Sequence, residues 1–296
     1  MLVNNDPDEQ FRPARKLFSE SGFLHEIWSN RKARFGMIVF IIFAIIGIFG
    51  HFIYPYSPKA TFVIWQPPTF AHVFGTDYEG HDVLSQFLYG TGVSLYVGAS
   101  VALISVAIGT MVGMLSGYYG GIVDNIFMRF VDILLIMPTF PLLVILAAYL
   151  PPTNNTTILI LSLLSWPFMS RVIRSQVLTL KERPFIKAAV ISGMKGFTII
   201  RKEILDHLMP LIIINAVYLL VGAIVAQAGL AFFGLGDLTS INWGTMLYYA
   251  QSEDAIVYAA WWWILPPGIA IAIIGIGANI FGNGITEIFG KRSGEA

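Results

Sequence analysis

Four side chains of kinds that commonly bind metals lie close together in the first third of the sequence: His72, Asp77, His81 and Asp82. Histidine nitrogens and carboxylate oxygens are frequent metal ligands. The spacing of these four matches no standard metal-binding motif. We therefore predict no metal site here. We interpret the stretch as a structured lid, in which Asp77 caps a turn and Asp82 or Ser85 helps to start a helix.

Motifs for other chemistry are missing from the sequence. It contains no Gly-x-x-x-x-Gly-Lys-Ser/Thr loop for cradling phosphates, no His-Glu-x-x-His pair and no cysteine. We therefore expect the chain to be a non-enzyme that holds no cofactor of its own. Any energy that it uses must come from another subunit or from an ion gradient.

The sequence as a whole is strongly apolar. Hydrophobic residues make up 56% of the 296 residues, charged residues only 12%, and the mean hydropathy is +0.70. A soluble domain has about 25% charged residues. The composition therefore predicts an integral membrane protein.

Six apolar runs are long enough to cross a bilayer as helices, which takes about 20 residues each. Long runs of this kind argue against a membrane β-barrel, whose strands alternate over about ten residues. We predict an all-α fold with spans at Phe35–Tyr54, Thr91–Tyr118, Asn125–Tyr149, Thr157–Ile173, Leu208–Phe233 and Trp263–Ile285. The corresponding domains are a tail (1–34), a first span (35–54), a loop (55–90), a five-helix domain (91–288) with an internal loop (176–210), and a tail (289–296).

Basic residues are distributed unevenly between the two sides of these spans. Of the 18 Lys and Arg residues, 17 fall on one side, and Lys59 alone falls on the other. Cytoplasmic loops carry the excess of basic residues. The distribution predicts a multi-pass protein of the plasma (inner) membrane with both termini in the cytoplasm. Contact with membrane lipid is expected, and nothing indicates nucleic-acid binding.

Few polar side chains interrupt the spans. Polar residues at membrane depth are candidates for a transport path, and the clearest are Asn215, Gln227 and Asn279. Hydrogen bonding between helices explains them equally well. Arg129 and Asp132 are expected to pair with each other or with a neighbour.

A stripe of small residues lies on the second span. Gly109, Gly113 and Gly117 recur every four residues, which is the spacing that lets two membrane helices approach closely. The stripe predicts either ordinary static packing or a sliding surface within the bundle or between subunits.

A basic segment, Arg183–Pro210, separates the fourth and fifth spans. Pro184 suits the first turn of a short helix. Phe185, Ala188, Ala189 and Ser192 are predicted to share a face of that helix, and Gly193 with Gly196 to supply a turn. A second helix from Phe197 to Leu208 should follow, with Ile199, Ile200 and Ile204 on one side. The alternatives are a docking element and a basic connector held by anionic lipid.

The spacing in this segment resembles the "EAA" loop of binding-protein-dependent ABC importer permeases. The matching positions are Ala188, Ala189, Gly193, Ile199 and Pro210. The usual acidic residue is replaced by Lys187.

Two more stretches narrow the resemblance to the C-type permeases of dipeptide and oligopeptide importers. They are "FGTDYEGHDVLSQFLYGTGVSLYVG" (74–98), in which His81 stands where Arg is common, and "GLAFFGLGDLTSINWGTMLYYAQ" with "WWWILPPGIAI" (229–271). The resemblance covers about residues 74–284.

The resemblance implies one of two different permease subunits, two ATPase subunits that bind ATP and Mg, and an external solute-binding protein. It also implies that the ATPases contact Pro184, Phe185, Ile186, Lys187, Ala188, Ala189, Ser192, Gly193, Ile199 and Pro210. The cargo stays open between peptides, oligosaccharides and a nickel chelate. An ion-coupled secondary transporter is the rival of a different class, although the spans hold almost none of the ionisable groups that it needs.

Overall fold

The computed structural model describes residues 20–292, and within that range the chain is helical. Its only strand-like pairing consists of two isolated bridges, so the all-α prediction is confirmed. A π-helical turn, Ile200–Ile204, joins α8 to α9. The helices are α1 (Glu20–Ser29), α2 (Arg31–Ile53), α3 (Val83–Tyr119), α4 (Gly121–Ile136), α5 (Thr139–Tyr149), α6 (Asn154–Leu180), α7 (Pro184–Ile191), α8 (Gly196–Ile199), α9 (Leu205–Phe232), α10 (Trp243–Ser252) and α11 (Trp261–Arg292).

Five helical stretches of the described chain are long and apolar enough to cross a membrane. They are Arg31–Gly50, Val83–Tyr119, Asn154–Leu180, Gly196–Phe232 and Trp261–Phe289. The number becomes six if the bent pair α4–α5 counts as one crossing.

The predicted span over Asn125–Tyr149 is not one continuous helix. Two helices, α4 and α5, meet there at 88°. Met137 is extended, with φ −67° and ψ 132°, because it precedes Pro138 and that position disfavours helix. Pro138 also lacks the N–H that a continuous helix would use.

Several other boundaries differ from those predicted. The helix α3 begins at Val83 rather than Thr91, because Asp82 caps it as expected: its Oδ2 accepts from the Ser85 N–H at 2.8 Å. The helix α6 continues through Leu180 into the loop predicted over 176–210. The short helix α1 was not predicted, and it lies in the stretch assigned to the tail.

The helix α3 is central, with α2, α6 and α9 packed around it. The glycine stripe on α3 faces α6 of the same chain. A Cβ added at Gly109 would lie 2.7 Å from the Cβ of Met169, and one at Gly113 would lie 2.6 Å from the carbonyl oxygen of Ser170. At Gly117 it would lie 2.7 Å from the Cβ of Val177. Only glycine therefore allows this helix crossing.

The segments 54–82 and 233–260, which include α10, pack together into a unit that we call the loop cap. Trp65 stacks on Tyr258 with ring centroids 4.8 Å apart. The indole N–H of Trp262 donates to the Thr76 carbonyl at 3.1 Å. Trp262 and Trp263 are buried against the cap, so of the three consecutive tryptophans only Trp261 is exposed enough to be a membrane anchor.

Candidate functional site

The basic segment begins with the predicted short helix, α7. Pro184 occupies its first turn after an extended Arg183. The helix ends at Ile191, and the N–H of the capping residue Ser192 donates to the Ala188 carbonyl at 2.9 Å. Gly193 then adopts φ +80°, a conformation that suits glycine, and the Met194 N–H closes the turn on the Ala189 carbonyl at 3.2 Å.

The residues predicted to share one face of α7 differ in their exposure: some are buried and others face outward. Ile186 is buried, and Phe185 and Ala189 are partly buried against the same apolar cluster. Ala188 and Ser192 are exposed. The exposed side also carries two apolar residues that sequence reasoning missed: Val190 is 54% exposed and Ile191 is 86% exposed. Val190 and Ile191 adjoin each other, and contiguous exposed apolar residues mark interaction surfaces more often than single ones do.

The second predicted helix is not a separate unit. Gly196 is the first residue of α8 rather than part of a turn, and the chain continues through the π turn into α9 without a break. Ile199, Ile200 and Ile204 are buried on one side as predicted. Pro210 lies within the continuous α9.

An apolar cluster holds the basic segment to the membrane helices. Ile186 of α7 and the three isoleucines of the α8–α9 junction join Met169, Ile173 and Val177 of α6. Because burial of apolar side chains drives this packing, α7, α9 and the end of α6 form one packed body.

The lysine at the usual acidic position has an acidic neighbour within the chain. The ammonium of Lys187 lies 3.0 Å from the carboxylate of Glu182, and both side chains are more than half exposed. Glu182 therefore places a negative charge beside α7, next to the lysine that replaces the usual acidic residue.

Two ion pairs join α4 to α6 near this segment. The guanidinium of Arg174 donates to both carboxylate oxygens of Asp124, each at 2.5 Å. Arg171 donates to Asp132 at 2.5 Å, so the neighbour that pairs with Asp132 is Arg171 and not Arg129. The Asp124–Arg174 pair was missed because its members are 50 positions apart in sequence.

The comparisons with known proteins bear on this arrangement of helices. The family model described as "Binding-protein-dependent transport system inner membrane component" matches residues 109–294, which include the glycine stripe and the whole basic segment. The chain belongs to this family. A second model, described as the N-terminal TM domain of oligopeptide transport permease C, matches residues 22–68 of this permease.

Named relatives cover nearly all of the permease. It is 31% identical over 287 residues to the dipeptide transport system permease protein DppC of Bacillus subtilis (strain 168), covering 96% of this chain and 88% of the relative. It is 33% identical over 260 residues to the probable D,D-dipeptide transport system permease protein DdpC of Escherichia coli (strain K12), covering 87% and 86%.

A solved structure shares the fold. A chain of the MetNI methionine ABC transporter, in an inward-facing conformation, superposes with a TM-score of 0.53 at 20% identity. The match covers 68% of this chain and 96% of the other.

The three candidate path residues of the permease lie in different surroundings. Asn215 is half-buried and donates to the Leu211 carbonyl at 2.8 Å. Gln227 is buried, and its amide nitrogen has no hydrogen-bond partner in the described part of the chain. Asn279 is exposed and accepts from Asn283 at 3.1 Å. No hydrogen bond given by the structure joins any two of the three amides.

The His and Asp residues of the loop cap pair with one another. His72 Nδ1 lies 2.9 Å from the Asp82 carboxylate, and both side chains are buried. Asp77 accepts from the backbone N–H groups of Glu79 and His81, which is the predicted turn cap. Burial raises the pKa of Asp77 above its ordinary value despite these bonds. Across residues 20–292 no group of three or more potential ligands is placed to hold a metal ion.

Proposed function

We propose that this permease forms half of the translocation path of an ATP-driven importer for short peptides. The cargo is supported by the names of the relatives, which are called dipeptide permeases. The uneven distribution of Lys and Arg supports cytoplasmic termini. In that orientation the basic segment is cytoplasmic and the loop cap lies outside.

Three kinds of partner follow from this proposal. Two ATPase subunits, which the family resemblance implies, bind ATP and Mg and hydrolyse the ATP, since this chain has no phosphate-cradling loop of its own. A second, homologous permease supplies the other half of the path. An external binding protein delivers the solute to the loop cap.

One observation carries the coupling role of the basic segment: α7 is anchored on one side and exposed on the other. Ile186 is buried in the cluster shared with α9, whereas Ala188, Val190 and Ile191 are exposed. We propose that this exposed face, together with the turn at Gly193, enters a groove of an ATPase subunit. Ala188 permits close approach there because a larger side chain would hold the two surfaces apart.

Movement of α7 then reaches the spans through packing. The cluster joins α7 to α9 and to the end of α6, and packed interfaces switch between discrete arrangements rather than deforming smoothly. Closure of the ATPase pair would therefore shift α9 as a unit. Asn215, Gln227 and Asn279 remain candidate path residues, and the buried Gln227 would need such a shift to meet solute.

The direct test is solute uptake by the complete complex in proteoliposomes. The complex comprises both permeases, both ATPases and the binding protein, encoded in the same genome. We expect ATP-dependent uptake of labelled L-alanyl-L-alanine, and no uptake of an oligosaccharide or a nickel chelate. Uptake that persists without the ATPase subunits would exclude the proposal in favour of an ion-coupled transporter.

The docking surface is tested with Ala188→Arg, because Ala188 is exposed whereas Ala189 packs against the cluster. We expect Ala188→Arg to abolish uptake while the permease still inserts in the membrane. The matched control is Thr179→Arg, which adds the same side chain at an exposed position of α6 outside α7. Normal uptake by Ala188→Arg would exclude docking through this face.

A further inference from the structure

The loop cap contains a cavity of about 330 Å³ that no step of the proposed mechanism uses. It lies between the segment after α2, the turn around Asp77 and the α10 region. Its volume is in the range of small-molecule binding sites. Charged and aromatic side chains both line it, namely Lys59, Asp77, Tyr78, Glu79, Tyr249 and Trp263.

An aromatic stack gives the cavity a fixed wall. The ring of Tyr78 stacks on Trp263 with centroids 5.6 Å apart, and on Tyr249 with centroids 6.0 Å apart. The Tyr249 hydroxyl donates to the Leu238 carbonyl at 3.1 Å. Trp263 is 1% exposed, so this wall is built into the core of the cap.

The cavity also carries two opposite charges that do not neutralise each other. Lys59 and Glu79 both line it, yet the ion pairs of the described chain include none between them. The Glu79 side chain is 53% exposed; its carboxylate lies 3.5 Å from His81 Nδ1 and accepts a hydrogen bond from the Tyr78 hydroxyl. Separated, solvent-accessible charges of opposite sign in one cavity match a ligand that itself carries both charges.

The third charged group, Asp77, has a different role. Its carboxylate already accepts two backbone N–H groups and the Gln86 amide, which donates at 2.8 Å. Because these donors occupy its carboxylate oxygens and the side chain is buried, Asp77 offers no free acceptor to a ligand. Burial, followed by the hydrogen bond to Glu79 and the charge of that carboxylate, raises the pKa of Tyr78 above its ordinary value.

We propose that this cavity binds a zwitterionic short peptide, with its terminal ammonium against Glu79 and its terminal carboxylate against Lys59. The inference rests on the proposed function, since it makes the cavity a site for the transported solute on the permease itself. It adds a specificity rule: both peptide termini must be free.

The test measures binding of L-alanyl-L-alanine to the full chain in nanodiscs by titration calorimetry. We expect Glu79→Gln and Lys59→Gln each to weaken binding about fivefold, as expected for losing one partly exposed ion pair. N-acetylation of the dipeptide should weaken binding to the wild type by a similar factor and cause no further loss in Glu79→Gln. The control Asp254→Asn removes an exposed acid of the cap that does not line the cavity, and it should bind normally.

Equal binding of free and acetylated dipeptide, unchanged binding by Glu79→Gln, or no binding to the wild type would each overturn the inference. The uptake assay separates this outcome from failure of the proposed function. Dipeptide uptake by the complex with unchanged uptake by Glu79→Gln would reject the cavity site alone. Absence of any dipeptide uptake would reject the proposed cargo, whatever the binding result.

Discussion

The ring of Phe185 in α7 stacks on the ring of His207 in α9, with centroids 4.6 Å apart and planes 19° from parallel. The His207 ring is held in place because its Nδ1 lies 2.6 Å from the Glu203 carbonyl oxygen. The stack is a direct side-chain link between the proposed docking helix and the helix that continues into the membrane. It adds a directional contact to the apolar cluster around Ile186.

Loss of this stack should uncouple ATP hydrolysis from transport. We expect Phe185→Ala and His207→Ala to lower dipeptide uptake by the reconstituted complex several-fold while ATP hydrolysis continues, because α7 still docks but moves α9 less efficiently. His207→Phe keeps an aromatic ring and should restore most of the uptake. Equal loss in His207→Phe and His207→Ala would show that stacking is not what matters.

The glycine stripe gives a prediction about stability. A Cβ at Gly113 would lie 2.6 Å from the Ser170 carbonyl oxygen, so Gly113→Ala must separate α3 from α6. We expect a loss of about 1–3 kcal/mol in the free energy of unfolding, as for other overpacked interiors. Gly222→Ala is the matched control, because no atom lies within 4 Å of its added Cβ. Thermal unfolding in detergent should therefore separate the two variants, and equal melting temperatures would contradict the packing explanation.

The elements that sequence reasoning predicted well are those with local signals. Pro184 and the small residues after it specify α7, and Asp82 specifies the start of α3. Apolar length alone located the spans. In each case the determining residues lie within a few positions of the feature.

The features that sequence reasoning missed depend on contacts between residues that are far apart in the sequence. The glycine period indicates a close helix contact but does not name α6 as the partner. Likewise, Val190 and Ile191 look like ordinary apolar helix residues until the packing of Ile186 decides which side is exposed. The 88° bend at Pro138 had a local signal, but long apolar runs on both sides of the proline concealed it.

The ion pair between Asp124 and Arg174 should stabilise the junction of α4 and α6. Its side chains are 16% and 30% exposed, and two hydrogen bonds join them. We expect a double-mutant cycle of Asp124→Asn with Arg174→Gln to give a coupling energy of about 1 kcal/mol. The same cycle on Glu182 and Lys187, which are 67% and 59% exposed, should give a value close to zero. Similar coupling in both cycles would mean that burial does not strengthen the pair.

The buried carboxyl of Asp77 should make the loop cap sensitive to pH. Burial raises its pKa above the ordinary value of 3.8, so the folded cap holds the proton more tightly than the unfolded chain does. The contribution of this group to stability is therefore complete below its unfolded pKa, and it is lost as the pH rises through the folded pKa. We expect the wild type to lose stability relative to Asp77→Asn as the pH rises from the ordinary value of 3.8 through the raised pKa of the folded state.

Tryptophan fluorescence during chemical unfolding measures this difference, because Trp65, Trp262 and Trp263 all pack in or against the cap. The comparison is made between the two proteins at each pH, which cancels the titration of the other carboxylates. A gain in the stability of the wild type relative to Asp77→Asn as the pH rises would contradict a raised pKa of Asp77 in the folded cap. It would mean that the hydrogen bonds from Glu79, His81 and Gln86 outweigh the cost of burying the charge.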